Sequence, residues 1–541
     1  MEAGIFYVLV GSVAVAAFAR SRGWPAPLLV TVVALAASFL PLVPDVDVDG
    51  HLLLSLVLPP LLYSAALEVS FVGFKRSLPQ IRNLGIWLVL LTALAVGFVA
   101  WWMLPSLTLP GALLLGAIVA PPDAVSAAAI GRRLGLPRRI MTVLSGESLI
   151  NDATSLTLYR VFAAILAGAT VSVWGGVGQF LLAVAVGVGV GLIFGLVLHQ
   201  MRMRINDAVV IGTFGLLAPF GAYAIAEHLY GSGVLAVVAM GLYVGYNSPR
   251  TDYTTRQQEK PLWLSADLLL ESFVFAYIGL QFPRVLSDLT SESVPRILAL
   301  SGVVLLVVLV VRPLFIYPVS AWSRFRRTHL SRKHSSDQEL TWKDNAVISW
   351  AGMRGVVTLA TAVAAADLAA LGSQASHAIV VVAFIVTVGT LLLQGLTLPL
   401  LIRGLGIVSV TDEKEDEEAL AALRRKSRKA GKAFLDQKRV EWEAKYGESE
   451  LSVFDAFTKR VTRVEKDTDE VQKVEDTATR PSLDDLLALS KGWLHVRREV
   501  LLAERDAGNL DEEVMRELIA AMDAEELALD TRGAVRPPSR A

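Results

Sequence analysis

Long runs of apolar residues, separated by short polar segments, make up the first three quarters of the chain. These runs stop near residue 405, and residues 411–541 are instead rich in Glu, Asp, Lys and Arg. A membrane-spanning helix needs about 20 consecutive, mostly apolar residues. The pattern therefore predicts an all-α membrane protein with two parts, a transmembrane domain over 1–405 and a soluble, mostly helical C-terminal domain over 411–541.

Thirteen of the apolar runs come near the length of a membrane span. The first run is followed, not preceded, by its positive charges Arg20 and Arg22, so it differs from a cleaved signal peptide and is expected to remain as a span. The predicted spans have approximate limits 4–19, 26–43, 51–68, 84–104, 111–130, 140–168, 174–198, 207–228, 232–246, 262–282, 294–318, 345–370 and 376–402.

The charges in the loops predict the orientation. Every second loop concentrates Arg and Lys, as segment 132–139 does, whereas the loops between them hold few cations and segment 45–49 carries Asp. Cationic loops stay on the cytoplasmic side of a membrane. We therefore expect a multi-pass protein of the cell (inner) membrane, with its N-terminus outside and its C-terminal domain in the cytoplasm.

Composition narrows the classes of function. Hydrophobic residues make up 54% of the chain, more than is usual in soluble domains, and the formal net charge of −1 points to no nucleic-acid partner. The absence of cysteine excludes disulfides and thiolate sites. No GxxxxGK segment is present, which argues against an ATP-driven pump. No cofactor is expected, and the partner of the C-terminal domain stays unknown.

Two of the predicted spans are interrupted. The fifth contains residues 119–123 (VAPPD), whose two prolines remove amide donors, and the twelfth contains residues 351–355 (AGMRG). Irregular backbone inside a membrane is tolerated where it lines a cavity or packs within protein. The interruptions lie seven spans apart, which predicts two inverted six-helix repeats joined by the seventh span, as in transporters. Ordinary proline and glycine kinks are the alternative interpretation.

The sixth span carries a dense set of polar residues in segment 145–152 (SGESLIND). Ser148 and Asp152 share one helix face, and Glu147 and Asn151 form the neighbouring pair. Acidic residues inside a span are costly unless they have a partner, and they usually mark function, although a structural ion pair is the alternative for Asp152. Asp123, at the start of a half-helix, could cap free amides, bind an ion or do both.

These segments resemble the monovalent cation/proton antiporters of the electroneutral sodium/proton exchanger branch, of the bacterial type. The similarity includes segments 146–152 and 352–355, together with 58–63 (LPPLLY) and 271–273 (ESF), and it covers the membrane domain in order. The pair Asn151-Asp152 is its most specific part. The resemblance implies a homodimer in the lipid bilayer, with Na⁺ and H⁺ as substrates and a function in pH homeostasis.

The resemblance also implies the ion site. Asp152 would be the carboxylate that binds either a cation or a proton, Asp123 and Ser148 would complete the metal ligands, and Asn151 would replace a second acid of electrogenic relatives. Because a desolvated carboxylate is unstable as a bare charge, one positive charge would neutralise it in either form. This predicts one-for-one, electroneutral exchange of cytoplasmic Na⁺ for external H⁺ by alternating access.

Four further charges would hold the core of the membrane domain. By the same resemblance, Glu147 and Arg354 would form a buried ion pair between broken helices, and Glu271 and Arg312 would be buried without an assigned partner. Asp267, near a predicted cytoplasmic end, is more simply interpreted as a solvated helix end than as part of an ion funnel.

The chain departs from the family pattern at two positions. Pro122 stands where the family often has Thr, and Ser64 stands where some relatives have an acid. Both changes remove possible cation ligands, so Li⁺ or K⁺ could replace Na⁺, and a K⁺/H⁺ antiporter of the same fold is the alternative. A cation channel could use the same acids. An enzyme is not expected. An intramembrane hydrolase would need a base beside Ser148 or Ser145, and no histidine or lysine is placed to serve as one.

Overall fold

The computed structural model describes residues 2–534 apart from 25, 41–49, 170–172, 206, 288–293, 331–339, 367, 408–409, 449–450, 464–482, 509 and 511. The acidic segment 45–49, which contributed to the predicted orientation, lies outside the described residues. Within the described residues the chain is helical and contains no β-strand. It divides into two compact units, Met1–Ser409 and Val410–Ala541.

The first unit contains seventeen α-helices in the described ranges. They are α1 (Glu2–Arg22), α2 (Ala26–Ala37), α3 (Gly50–Glu68), α4 (Phe71–Arg76), α5 (Leu78–Arg82), α6 (Val89–Met103), α7 (Leu109–Val119), α8 (Ala124–Arg133), α9 (Arg138–Leu166), α10 (Val173–Arg204), α11 (Ala208–His228), α12 (Gly233–Asn247), α13 (Tyr253–Ser287), α14 (Val294–Leu330), α15 (Trp342–Trp350), α16 (Val356–Ala366) and α17 (Ser373–Leu405). A π-helical turn, Asn83–Leu88, joins α5 to α6.

Eight helical segments in the described part of the chain are long and apolar enough to cross a membrane. They are Gly4–Arg22, Leu78–Met103, Arg138–Leu166, Gly178–Arg204, Ala208–His228, Tyr253–Gln281, Val294–Phe325 and Gln374–Leu405. Shorter apolar helices are Ala26–Ala37, Leu54–Glu68, Leu109–Val119 and Val356–Ala366. The all-helical membrane architecture is confirmed, whereas the count of thirteen spans and the inverted repeats stay predictions.

Small residues bring neighbouring helices of this unit close together. A Cβ atom at Gly116 of α7 would overlap the backbone carbonyl of Ala93 in α6, and one at Gly191 of α10 would overlap that of Ala236 in α12. Membrane helices pack through such small residues because apolar surface alone does not drive their association in lipid. The first of these contacts holds α6 against α7, the helix that ends at the first interruption.

The two predicted interruptions are present, and they contact each other. Helix α7 ends at Val119 and α8 begins at Ala124, while α15 ends at Trp350 and α16 begins at Val356. The Asp123 amide donates a hydrogen bond to the Met353 carbonyl at 2.6 Å. Each extended segment therefore satisfies part of the other's backbone within the protein, where lipid would leave it without a partner.

The second unit is a helical domain with its own apolar core. Its described helices are α18 (Val410–Tyr446), α19 (Leu451–Arg463), α20 (Leu483–Asp506) and α21 (Glu512–Ala534). Aromatic side chains on three of them, Trp442, Phe454 and Trp493, are buried in that core. Val514 and Ile519 of α21 are buried with them, as their helical spacing suggests. This part of the chain is therefore more than a run of solvated charge.

Candidate functional site

Helix α9 is fixed against the interruption between α7 and α8. The Asn151 side-chain amide donates to the Pro122 carbonyl at 2.8 Å, and the Ser155 hydroxyl donates to the Ala117 carbonyl at 2.8 Å. In a continuous helix the nitrogen of residue 121 would donate to the Ala117 carbonyl, which proline cannot do, and the Pro122 carbonyl lies in the break between α7 and α8. Side chains of α9 take their place, which holds the neighbouring Asp152 at the level of the break.

A cavity of about 170 Å³ opens at this level, and it gathers most of the predicted site. Asp152 is 6% exposed, and no hydrogen bond or ion pair to its carboxylate comes from the residues that the structure describes. The predicted ion-binding Asp123 and Ser148 line the same cavity, as does Glu271, whereas Asn151 and Glu147 are buried and do not line it. Further polar groups on its wall are Ser64, Glu68, Arg132, Ser145, Asp267 and Thr358.

The carboxylates on the cavity wall form an ordered series of electrostatic neighbours. Asp152 interacts with Asp123, Asp123 with Glu271, Glu271 with Asp267, and Asp267 with Glu68. Asp152 is nearly buried, whereas the Glu68 side chain is 51% exposed. The series therefore runs from solvent-accessible surface to the buried acid.

Asp267 differs from its simplest interpretation as a solvated helix end. It accepts a hydrogen bond from Ser64 across the α3–α13 contact, and its other oxygen, Oδ1, is buried. Glu68 fits that interpretation better, because it forms an exposed ion pair with Arg132 at 3.1 Å. The Ser64–Asp267 bond joins two helices far apart in sequence, so no local pattern in the chain indicates it.

The partners of the two buried arginines differ from those that the resemblance implied. Glu147 pairs with Arg312, with Nη2 to Oε2 at 2.7 Å and a second bond from Nη1, and both side chains are at most 3% exposed. Arg312 Nε also donates to the Ile348 carbonyl in the last turn of α15 at 2.9 Å. The guanidinium thus completes a bidentate ion pair and closes a helix end, which is the geometry that arginine favours.

Arg354 instead binds backbone carbonyls at the interruptions. Its Nε donates to Val119 O at 2.9 Å and its Nη2 to Ala120 O at 3.1 Å, and Nη1 donates to Gly352 O. The last carbonyls of a helix lack internal partners and carry partial negative charge, so a cation stabilises them. The predicted Glu147–Arg354 pair is corrected accordingly: Arg354 is held at the end of α7, and Arg312 reaches Glu147.

Gly355 makes room for Asp123. A Cβ atom at position 355 would overlap the Asp123 carboxylate, so the acid lies directly against the start of α16. The amides at a helix N-terminus favour negative charge. The site is thus built from α9 and the two interruptions together, with Asp123 between them.

Two further ion pairs were not predicted, of which the first is buried and the second is partly exposed. Arg202 of α10 pairs with Glu259 of α13, and Arg160 of α9 pairs with Glu227 of α11. Glu259 lies in a charged segment that resembles a loop in sequence, but α13 already begins at Tyr253. The Arg202–Glu259 pair could have been indicated by one signal: Glu259 lies at a predicted loop boundary, and Arg202 lies near the end of another span.

Comparison with known proteins matches the chain to sodium/hydrogen exchangers and antiporters. The sequence model of a family described as "sodium/hydrogen exchanger, transmembrane" matches residues 4–404. A Na⁺/H⁺ exchanger of Mycobacterium bovis, itself described as uncharacterised, is 31% identical over 528 residues, which cover 94% of this chain and 92% of the relative. The Na⁺/H⁺ antiporter ApNhaP of Aphanothece halophytica is 30% identical over 407 residues, or 74% of each chain.

A solved structure matches the same part of the chain. The sodium proton antiporter MjNhaP1 of Methanocaldococcus jannaschii superposes with a TM-score of 0.58 at 19% identity. The match covers 74% of this chain and 97% of that one. At this identity the similarity shows a shared fold and carries no residue roles.

Proposed function

Since the chain belongs to the sodium/hydrogen exchanger family, and relatives such as ApNhaP are described as Na⁺/H⁺ antiporters, we propose that it exchanges cytoplasmic Na⁺ for external H⁺. In this proposal Asp152 binds each ion in turn. The observation that carries it is the placement of Asp152: its side chain is 6% exposed, yet it lines a cavity rich in oxygen ligands.

The cation would be bound by Asp152, Asp123 and the Ser148 hydroxyl. All three line the cavity, and hard cations prefer carboxylate and hydroxyl oxygens over nitrogen or sulfur. Asp123 lies at the N-terminus of α16, whose amides compensate its charge when no cation is present. Asp152 has no such compensation, so it is the group that we expect to exchange a proton for a cation.

The proposed stoichiometry is one Na⁺ for one H⁺, without net charge movement. The residue next to Asp152 is the neutral Asn151, whose amide is bonded to the Pro122 carbonyl and adds no titratable group. A buried carboxylate loaded with one proton or one Na⁺ carries the same net charge in both forms. Each half of the cycle would therefore move an electrically equivalent site across the membrane.

Alternating access would carry the loaded site between the two sides of the membrane. The acids from Glu68 to Asp152 would form the route that links the cytoplasm to the site. The two interrupted helices, held together by Arg354 and by the Asp123–Met353 bond, would move as one body relative to the rest. Inverted repeats with broken helices at the ion site are the architecture in which such motion is known.

The experiment that tests this proposal is pH-gradient quenching in proteoliposomes, with Na⁺, Li⁺ and K⁺ added in turn. Wild type should dissipate an imposed pH gradient on addition of Na⁺, and Asp152→Asn should not. Asp207→Asn is the matched control, because Asp207 caps α11 with its side chain, and Asn caps a helix as well. Full exchange by Asp152→Asn would contradict the proposal.

The same assay separates the alternatives. Dissipation by K⁺ but not by Na⁺ would indicate a K⁺/H⁺ antiporter of the same fold. Current that follows an imposed voltage, without saturation by the cation, would indicate a channel. Exchange rates that change with an imposed membrane potential would contradict the electroneutral stoichiometry.

We also propose that the N-terminus lies outside and the C-terminal unit in the cytoplasm. The chain has no cysteine, so single cysteines can be placed without background labelling. Ser106 and Lys75 are both exposed, and they flank the apolar segment Leu78–Met103 at opposite ends, Lys75 before it and Ser106 after it. In intact cells, a membrane-impermeant maleimide should label Ser106→Cys and not Lys75→Cys; the reverse pattern would contradict the orientation.

A further inference from the structure

A buried hydroxyl on the cavity wall has no role in the site as described so far. Thr358, in the first turn of α16, is 1% exposed and lines the cavity. Its Oγ1 is buried and has no hydrogen-bond partner among the residues that the structure describes. A threonine inside a helix usually donates to the carbonyl four residues earlier, but for Thr358 that carbonyl belongs to Arg354, in the interruption before α16. Because buried hydroxyls normally have a partner, Oγ1 is left available for a ligand.

Thr361, one turn later in the same helix, shows the ordinary arrangement. It is also 1% exposed, but its hydroxyl donates to the Val357 carbonyl at 2.7 Å. The two threonines therefore have the same chemistry, helix and burial, and they differ in whether the hydroxyl is occupied. The difference follows from position, because Thr361 has a helical carbonyl four residues earlier and Thr358, in the first turn, does not.

Thr358 lies on the helix face that is turned toward the acids. It follows Gly355, the residue before α16, by three residues, so the two positions lie on the same side of the helix start. A Cβ atom at Gly355 would overlap the Asp123 carboxylate, which places that acid against the same face. Asp123 interacts electrostatically with Asp152, and the cavity touches all three polar side chains.

A second hydroxyl would add a side-chain oxygen ligand that the cavity, as lined by the described residues, otherwise lacks on the α16 side. A cation that leaves water must replace its hydration shell with protein oxygens. Pro122, directly before Asp123, offers no hydroxyl, and its carbonyl is already bonded to Asn151. Ser148 supplies a hydroxyl from α9, on one side of the cavity, and Thr358 supplies one from α16.

We propose that Thr358 Oγ1 is a ligand of the transported cation. The inference rests on the proposed function and adds to it a specificity-determining residue on the second interrupted helix. The hydroxyl oxygen would donate a lone pair to the cation when Asp152 is loaded with Na⁺. Protonated Asp152 needs no such ligand, so the hydroxyl stabilises the cation-loaded form over the proton-loaded form.

The test compares three variants of the full chain in proteoliposomes. Thr358→Val removes the hydroxyl at nearly constant volume, Thr358→Ser keeps it, and Thr361→Val is the matched control on the same helix. Sodium-driven proton movement is measured as a function of Na⁺ concentration. Because losing a hydrogen-bond-strength contact to a charged group changes affinity by about tenfold or more, Thr358→Val should raise the apparent KM for Na⁺ by about that factor.

The other variants should behave differently. Thr358→Ser and Thr361→Val should keep the wild-type KM, and the maximal rate of Thr358→Val should stay close to that of wild type. An unchanged KM in Thr358→Val, or an equal rise in Thr358→Val and Thr358→Ser, would overturn the inference. Should the valine variant not elute as a single species in detergent, Thr358→Ala takes its place under the same criteria.

Failure of this inference is distinguishable from failure of the proposed function. If wild type shows no cation-driven proton movement, the proposed exchange itself is wrong. If wild type exchanges Na⁺ for H⁺ and Thr358→Val does so with the same KM, then only the ligand role of Thr358 is wrong.

Discussion

The buried Glu147–Arg312 pair gives a prediction that distinguishes it from the alternative pair, Glu147–Arg354. The side chains of Glu147 and Arg312 are each at most 3% exposed. Replacing Glu147 with Gln removes the negative partner and leaves the Arg312 guanidinium buried without a counter-charge. Breaking a buried ion pair by removing one partner costs about 3–5 kcal/mol. We expect Glu147→Gln to lower the free energy of unfolding by an amount in this range.

The bidentate geometry sets the size of the coupling between the two residues. Arg312 places two nitrogens on the Glu147 carboxylate, and its third, Nε, stays on the Ile348 carbonyl. In the double variant Glu147→Gln/Arg312→Gln neither side chain is charged. Adding Arg312→Gln to Glu147→Gln should therefore lower the free energy of unfolding much less than Arg312→Gln does in the wild-type protein. A coupling energy of about 2 kcal/mol or more is expected for residues in direct contact.

The assay is a double-mutant cycle on the free energy of unfolding in detergent micelles. A second cycle combines Glu147→Gln with Arg354→Gln, since Arg354 is buried nearby but bonds to the carbonyls of α7. The first cycle should show strong coupling and the second weak coupling. Strong coupling to Arg354 with little coupling to Arg312 would refute the assignment of the pairs.

Two further predictions concern close contacts made by glycine. Gly355→Ala places a methyl group on the Asp123 carboxylate and should reduce exchange by about tenfold or more, whereas Gly404→Ala, with no neighbour within 4 Å of its Cβ, should leave the rate unchanged. Equal rates in both variants would argue against the contact. Gly431→Leu would place a side chain against the indole of Trp493 and should lower the free energy of unfolding of the C-terminal unit by about 1–3 kcal/mol. The loss should appear as faster tryptic cleavage of that unit in the full chain. An unchanged cleavage rate would count against that packing.

The sequence was sufficient for features that depend on local chemistry. The interruptions were indicated by Pro121-Pro122, which remove two amide donors, and by the glycines around Arg354. Proline alone is not decisive, because Pro59 and Pro60 lie inside the continuous helix α3. The cavity-facing position of Asp152 follows from its place on α9, four residues after Ser148. These predictions needed no knowledge of how the helices are arranged.

The sequence was not sufficient for contacts between distant helices. Arg312 and Arg354 are both buried cations within spans, and only the rotation and depth of α14 decide that Arg312 reaches Glu147. Likewise, the charge-rich start of α13 resembles a loop, yet it is helical and presents Glu259 to Arg202. Each choice depends on three-dimensional register, which spacing along one chain does not encode.

The central claim is that one carboxylate, Asp152, binds Na⁺ and H⁺ in alternation. The most direct test is the apparent KM for Na⁺ of the wild-type protein in proteoliposomes, measured together with the maximal rate over a range of pH. Because a carboxylate must lose its proton to bind a metal ion, competition predicts that the KM rises by about tenfold for each unit of falling pH in the acidic range, at a constant maximal rate. A KM that does not change with pH, while the maximal rate falls, would place the proton on another group and contradict the account.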